Sequence, residues 1–206
     1  MFRFIRLVGF LLAFVSLTGF TPPRNAEVYR NAIVRETRYF WGMNQNPSLF
    51  FGQIHQESAY NPDARSSFAS GLTQFTPDTA KWIQQLYANQ LSEFCSDVGG
   101  CPLNPRWAIR SMLIYDKRLW DQFRESFGDE RYAFMLSSYN GGLGWARREQ
   151  KKALEYEYDP NVWFGVVETV CLRAQWACRE NRDYPQKILF KWRPLYESWL
   201  EIVGIV

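Results

Sequence analysis

The chain has 206 residues, 47% hydrophobic and 22% charged, enough to bury one sizeable core, which excludes a disordered chain. Its formal charge of +3 comes from 24 Lys and Arg against 21 Asp and Glu. The two signs are interspersed rather than gathered in a stripe, so no nucleic-acid partner is expected.

Met1 to Arg6 is basic, Leu7 to Phe20 is almost wholly apolar, and Thr21-Pro22-Pro23 comes next. Residues 1–22 thus have the shape of a secretory signal peptide. The apolar run is shorter than an ordinary membrane span, and Ser16-x-Thr18 is a poor cleavage site, so an uncleaved signal-anchor tethering residues 7–20 to the inner membrane is the alternative. Cleavage near Phe20 removes Arg3 and Arg6 and leaves +3 − 2 = +1. In either state residues 26–206 form one exported domain, in the periplasm or cell envelope.

Helical spacing dominates the rest of the chain, with no alternating strand-like runs of any length. A first helix is expected over about residues 26–41, with Val28, Ile33 and Tyr39 among its apolar positions. Asn46 as N-cap, Pro47 at the first helical position and Asn61-Pro62 as a stop bracket a second helix over residues 47–58. Pro77 opens a third, carrying Ala80, Trp82, Ile83 and Leu86 and fading by Asn89. Asn104-Pro105 caps a long helix in which Ala108, Met112, Tyr115 and Leu119 recur at helical spacing. Residues 130–139 place Tyr132, Met135 and Tyr139 on one face and stop at Gly141-Gly142. A last helix is expected over residues 185–200.

Four cysteines in an exported chain imply two disulfides. Cys95 and Cys101 flank a Gly-Gly turn that makes a local bridge easy. Cys171 and Cys178 would stand about 10 Å apart on one regular helix, beyond disulfide reach. Either that segment turns, or the pairing crosses between the two couples. A four-cysteine zinc site is the rival, but its spacings are not those of zinc knuckles.

Within the second helix, Phe50, Ile54 and Glu57 fall at i, i+4 and i+7, placing a carboxylate on the apolar face and in the last turn. Partial desolvation and the negative end of the helix dipole both favour its protonated form, as a general acid requires. His55 is the sole histidine and points elsewhere on the helix. A Ser-His-Asp hydrolase or a multi-histidine zinc centre is therefore hard to build.

Glu57-Ser58, Asn61-Pro62-x-Ala64, Ser66, Gly71-Leu72-x-Gln74 and Pro77-x-Thr79-Ala80 form one set of blocks. Tyr139-Asn140-Gly141-Gly142 and Glu180-Asn181-Arg182-Asp183-Tyr184 lie farther along the chain. In order and nearly in spacing they resemble the signature of the soluble lytic transglycosylase family of lysozyme-like muramidases, over about residues 46–192. Departures are a loop one residue shorter after Ser66 with Phe68 near the expected glycine, Thr73 for methionine, and Asn181 and Pro185 for threonine and valine. The run from Tyr139 to Arg148 is similar to phage-borne members acting in host lysis or wall penetration. A bacterial enzyme opening the wall for a secretion or conjugation apparatus would look much alike.

The resemblance implies an all-α, lysozyme-like single domain, acting as a monomer on peptidoglycan glycan strands without metal or cofactor. The implied reaction cleaves the β-1,4 bond between N-acetylmuramic acid and N-acetylglucosamine and closes a 1,6-anhydro ring, with Glu57 as the single acid and base. Ser58 would help hold the carboxyl or the sugar, or instead bond its own helix backbone. Gln74 would line the saccharide cleft, Tyr139 would face the acid across it with its hydroxyl in reach of the carboxyl, and Tyr184 and Asn140 complete the substrate-binding set. Asn140 also suits a role in holding its turn. Two other readings stand beside this one. A hydrolytic muramidase would need a second carboxylate, for which Asp63 and Asp78 are nearest in sequence; an inactive glycan-binding relative would have no need of Glu57. Trp41, Trp82, Trp145 and Trp163 are candidates to stack on sugars, though aromatic residues in a small helical domain are mostly core.

Overall fold

A computed structural model of the protein describes residues 21–95 and 101–206 and holds nine α-helices among them, five of which start at a proline or asparagine. The expected signal falls, for residues 1–20, outside the described residues. The first helix is α1 (Arg24–Trp41); α2 is Ser48–Ser58, α3 Pro77–Leu86 and α4 Ala88–Leu91. Then come α5 (Pro105–Trp120), α6 (Gly128–Gly141), α7 (Leu143–Glu155), α8 (Gln175–Lys187) and α9 (Arg193–Ile202). One π turn, Ile188–Trp192, joins α8 to α9 without a break. Asn46 Oδ1 accepts the Ser48 N–H at 2.9 Å, and Asn104 Oδ1 accepts from Arg106 and Trp107, so both asparagines cap as their sequence context predicts.

The core gathers on α5 and α6. Helix α5 packs between α1 and α6, α6 lies against α7 and α8, and α2 is clasped by the π turn and α9. Phe50, Ile54, Trp107, Met112, Phe134 and Trp163 are fully enclosed. Each such side chain contributes roughly 1.5–3 kcal/mol by its removal from water. Close packing of α2 on the π turn needs Gly52: a Cβ there would stand 3.0 Å from Trp192 Cβ and 3.2 Å from Arg193 N.

Several expectations are corrected. Val28 and Tyr39 face solvent, because Ala26, Ile33, Val34 and Thr37 make the buried stripe of α1 and the other two lie half a turn away. Leu86 and Trp82 stay partly exposed on α3, whose buried residues are Ala80, Ile83 and Gln84. Helix α7 has no counterpart among the expected helices: Gly142 with φ 92 ends α6 and at once precedes α7. The C-terminal helix begins ten residues before Pro185, which sits inside α8. A proline there removes one backbone donor and the helix continues past it.

Both disulfides are local, Cys95–Cys101 and Cys171–Cys178, with Cα separations of 5.4 and 5.8 Å. The second closes because Cys171 lies in the turn before α8 while Cys178 is in its first turns. Together the two bridges take up all four cysteines. No helix among the described residues is long and apolar enough to cross a membrane.

Candidate active site

Helix α2 ends sharply just after Glu57. Ala59 and Tyr60 both adopt left-handed backbone, φ 47 and 66, a conformation costing about 1–3 kcal/mol each for residues other than glycine. Burial of the Tyr60 ring holds the strain, its hydroxyl donating to Phe51 O at 2.8 Å. The chain is thereby thrown into a loop, residues 61–76, whose narrow antiparallel pairings Arg65 with Ser70 and Ser70 with Phe75 form one wall of a cleft. Gly71 has φ +81, and a Cβ on it would fall 1.7 Å from Pro102 O, so no other residue fits.

Three of the residues singled out in the sequence build this wall. Gln74 Nε2 donates to Gly71 O at 2.8 Å and Ala64 O at 3.2 Å. The Ser58 hydroxyl donates to Leu72 O at 2.7 Å, and the Tyr139 hydroxyl to Thr73 O at 2.8 Å. Three consecutive carbonyls thus each receive a side-chain donor from a different direction. Gln74 and Tyr139 line the cleft; Ser58 sits behind it. The expected bond from Tyr139 to the acid is made by Tyr184 instead. From α8, the Tyr184 hydroxyl donates to Glu57 Oε1. Asn140, at the exposed end of α6, reaches Glu180 at 3.5 Å on the same cleft.

Glu57 is the electrostatic centre. Enclosure of its carboxyl raises the pKa to about 8 against the lowering effect of the Tyr184 hydrogen bond, and the charge of Glu180 adds to the rise. Near neutral pH the group holds its proton. Burial, with the nearby Glu57 charge, also pushes the Tyr139 and Tyr184 hydroxyls well above the usual tyrosine range, so both remain donors. Beneath the acid, Asp116 on α5 is buried and accepts from Gln53 Nε2 at 3.2 Å. Burial lifts its carboxyl far above the aspartate range, with Glu57 contributing. Asp116 rides an apolar helix face, the signal that pointed to Glu57, and could have been read the same way.

The cleft, of about 950 Å³, also takes in Trp145, Trp176, Arg173, Glu180, Asp183 and Lys187. Asp63 and Asp78, the second carboxylates suggested by sequence proximity, lie outside it; Glu180 and Asp183 line it instead. Of the four tryptophans considered for sugar stacking, only Trp145 reaches the cleft. Trp163 is core and Trp41 donates to Leu113 O at 3.1 Å. The His55 ring stacks on Trp192 at 3.8 Å, and its Nδ1 lies 2.9 Å from the Tyr196 hydroxyl, behind α2. No group of three or more His, Cys, Asp or Glu among the described residues is placed to hold a metal ion.

A helical fold that holds a neutral carboxyl, Glu57, at the wall of a cleft is the arrangement of a lysozyme-like, lytic-transglycosylase domain. The fold matches the 70 kDa soluble lytic transglycosylase of Escherichia coli with a TM-score of 0.56, over 85% of this chain and 24% of that one, at 23% sequence identity. The transglycosylase SLT domain model matches residues 38–162, and the chain belongs to that family. Among curated relatives, membrane-bound lytic murein transglycosylase F of Shewanella pealeana is 34% identical over 134 residues, covering 65% of this chain and 24% of the relative. The protein of that name from Shewanella halifaxensis is 34% identical over 119 residues, covering 57% and 22%. The chain therefore spans about a quarter of the length of these relatives.

Proposed function

We propose that this protein cleaves peptidoglycan glycan strands without water, at the β-1,4 bond between N-acetylmuramic acid and N-acetylglucosamine, with Glu57 as the single general acid and base. The observation that carries this reading is the enclosed Glu57 carboxyl, with a pKa of about 8 and the Tyr184 hydroxyl on Oε1. Family membership and the names of the relatives support the substrate class.

Protonated Glu57 gives its proton to the departing glycosidic oxygen as the bond to C1 breaks. The resulting carboxylate takes the proton of the muramic acid 6-hydroxyl as that oxygen bonds to C1, closing the 1,6-anhydro ring. One C–O bond breaks, one forms, and the acid returns to its starting state. Two opposed influences suit the two halves: burial favours the neutral acid, and the Tyr184 donor favours the carboxylate. A tethered nucleophile of high effective molarity replaces the second carboxylate that glycosidases usually need. Gln74, Tyr139 and Asn140 would shape the saccharide cleft, and Ser58 would act through the loop it holds. The setting is the cell envelope, outside the cytoplasm, in keeping with two disulfides.

Hydrolysis is the second reading, favoured by one observation: Glu180 shares the cleft and its charge is felt by Glu57. Mass spectrometry of muropeptides released from purified sacculi, with Glu57→Gln as control, separates the two. Products lighter by one water than reducing muropeptides, absent with the control, support the transglycosylase. Reducing ends would transfer the reaction to water with Glu180 as the second carboxylate. No release by the native protein would leave a glycan-binding role.

A further inference from the structure

The cleft carries two aromatic rings that the chemistry at Glu57 does not use. Phe68, on the loop of residues 61–76, is 79% exposed; Trp176, in the first turn of α8, is 65% exposed. Both line the cleft that holds the acid. Among the described residues no ring or cation covers either one, whereas Trp145 in the same cleft lies under the Arg148 and Arg173 guanidinium groups at 4.0 and 5.6 Å. Apolar side chains exposed singly are ordinary on a protein surface, whereas two uncovered rings on one groove form the kind of apolar patch that marks a binding surface.

Neither ring is on a loose segment. Ser66 Oγ accepts the Phe68 and Ala69 N–H groups at 3.3 and 3.0 Å, and Ser66 N donates to Ala69 O at 2.9 Å. Trp176 lies between the two cysteines of the Cys171–Cys178 bridge. Rigid aromatic anchors lose little entropy on binding. Phe68 also stands near the position where the family pattern has glycine, so this ring distinguishes the chain from that pattern.

We propose that Phe68 and Trp176 are stacking platforms for pyranose rings of the glycan strand beyond the two sugars flanking the cleaved bond. The proposal rests on the transglycosylase role of Glu57. A pyranose presents a face of C–H groups that packs on an aromatic ring, while its hydroxyl and acetamido groups turn to polar neighbours. In this cleft Gln74, Asn140, Asp183 and Lys187 provide them. The platforms make binding depend on strand length.

The test uses the full chain carrying Glu57→Gln, with calorimetric binding of uncross-linked peptidoglycan fragments of two and of eight sugars. Phe68→Ala and Trp176→Ala should each weaken the eight-sugar fragment about tenfold, the scale of a truncated anchor ring, and leave the two-sugar fragment unchanged. Phe68→Tyr and Trp176→Phe should keep most of the affinity, which separates stacking from misfolding. Alanine variants that bind the long fragment like the parent, or that lose both fragments equally, would overturn the platforms. If the native protein still yields anhydro ends, the reading of Glu57 survives that failure. A native protein without products whose parent variant binds neither fragment would overturn both.

Discussion

Glu57→Gln should stabilise the fold, by an amount that grows with pH. Burial moves the Glu57 pKa from the ordinary 4.5 to about 8. Between those values the folded protein keeps a proton that the unfolded chain has released. The stability belonging to the neutral acid is therefore complete below the unfolded value and is lost as pH rises through the folded one. At about 1.4 kcal/mol per pH unit, the loss reaches roughly 3 kcal/mol at pH 7 and roughly 5 kcal/mol above pH 8. Glutamine has nearly the same shape, offers the Tyr184 hydroxyl an acceptor and cannot ionise. Urea unfolding at about pH 5, 7 and 9 should give nearly equal midpoints at the lowest pH and a widening advantage for the variant above it. Parallel stabilities across the range would refute the neutral, enclosed Glu57, and with it the general acid.

Tyr184→Phe removes the donor that favours ionised Glu57, so the alkaline limb of the pH–rate profile should move up. Its kcat should fall roughly ten- to a hundredfold, in keeping with a hydrogen bond to a charged group; an unmoved limb would count against the contact. Gly71→Ala must push its Cβ into Pro102 O from a left-handed backbone and should cost at least about 3 kcal/mol, read as a fall in melting temperature; a loss within about 1 kcal/mol would contradict the close approach. Replacing Cys171 and Cys178 together by serine opens a loop with a sequence separation of 7, which should cost about 2–3 kcal/mol. On sacculi the same variant should raise KM more than it lowers kcat, since the bridged turn carries Trp176 and not the acid.

Helix starts were legible because their chemistry is local: Asn46, Pro77 and Asn104-Pro105 act on the backbone beside them. Glu57 was legible for a related reason, since one period of helix suffices to place an acid among apolar residues. Partner choice was not. Tyr139 and Tyr184 are both tyrosines near the acid, and only the packing of α8 decides that the hydroxyl of Tyr184 reaches Oε1 while that of Tyr139 turns to Thr73 O. Trp176 lies on the stretch of α8 that precedes the helix start expected at residue 185, so helical spacing does not reach it. Asp63 and Asp78 are close to Glu57 in sequence, but the left-handed turn at Ala59 and Tyr60 makes that a poor guide to closeness in space.

The π turn at Ile188–Trp192 acts as a correction of phase. Along an ordinary α-helix, Trp192 and Tyr196 would point about 80° and 120° away from Tyr184, at about 100° per residue. One additional residue taken up by the π turn winds back about 100°, bringing all three rings within about 20° of one line. Tyr184 then meets Glu57, Trp192 donates to Gln56 at 3.0 Å and stacks on His55, and Tyr196 meets His55. The last turn of the helix bearing the acid is gripped by a stripe that the spacing of these residues in the chain conceals, and the hydroxyl on the acid is registered against packing three turns away.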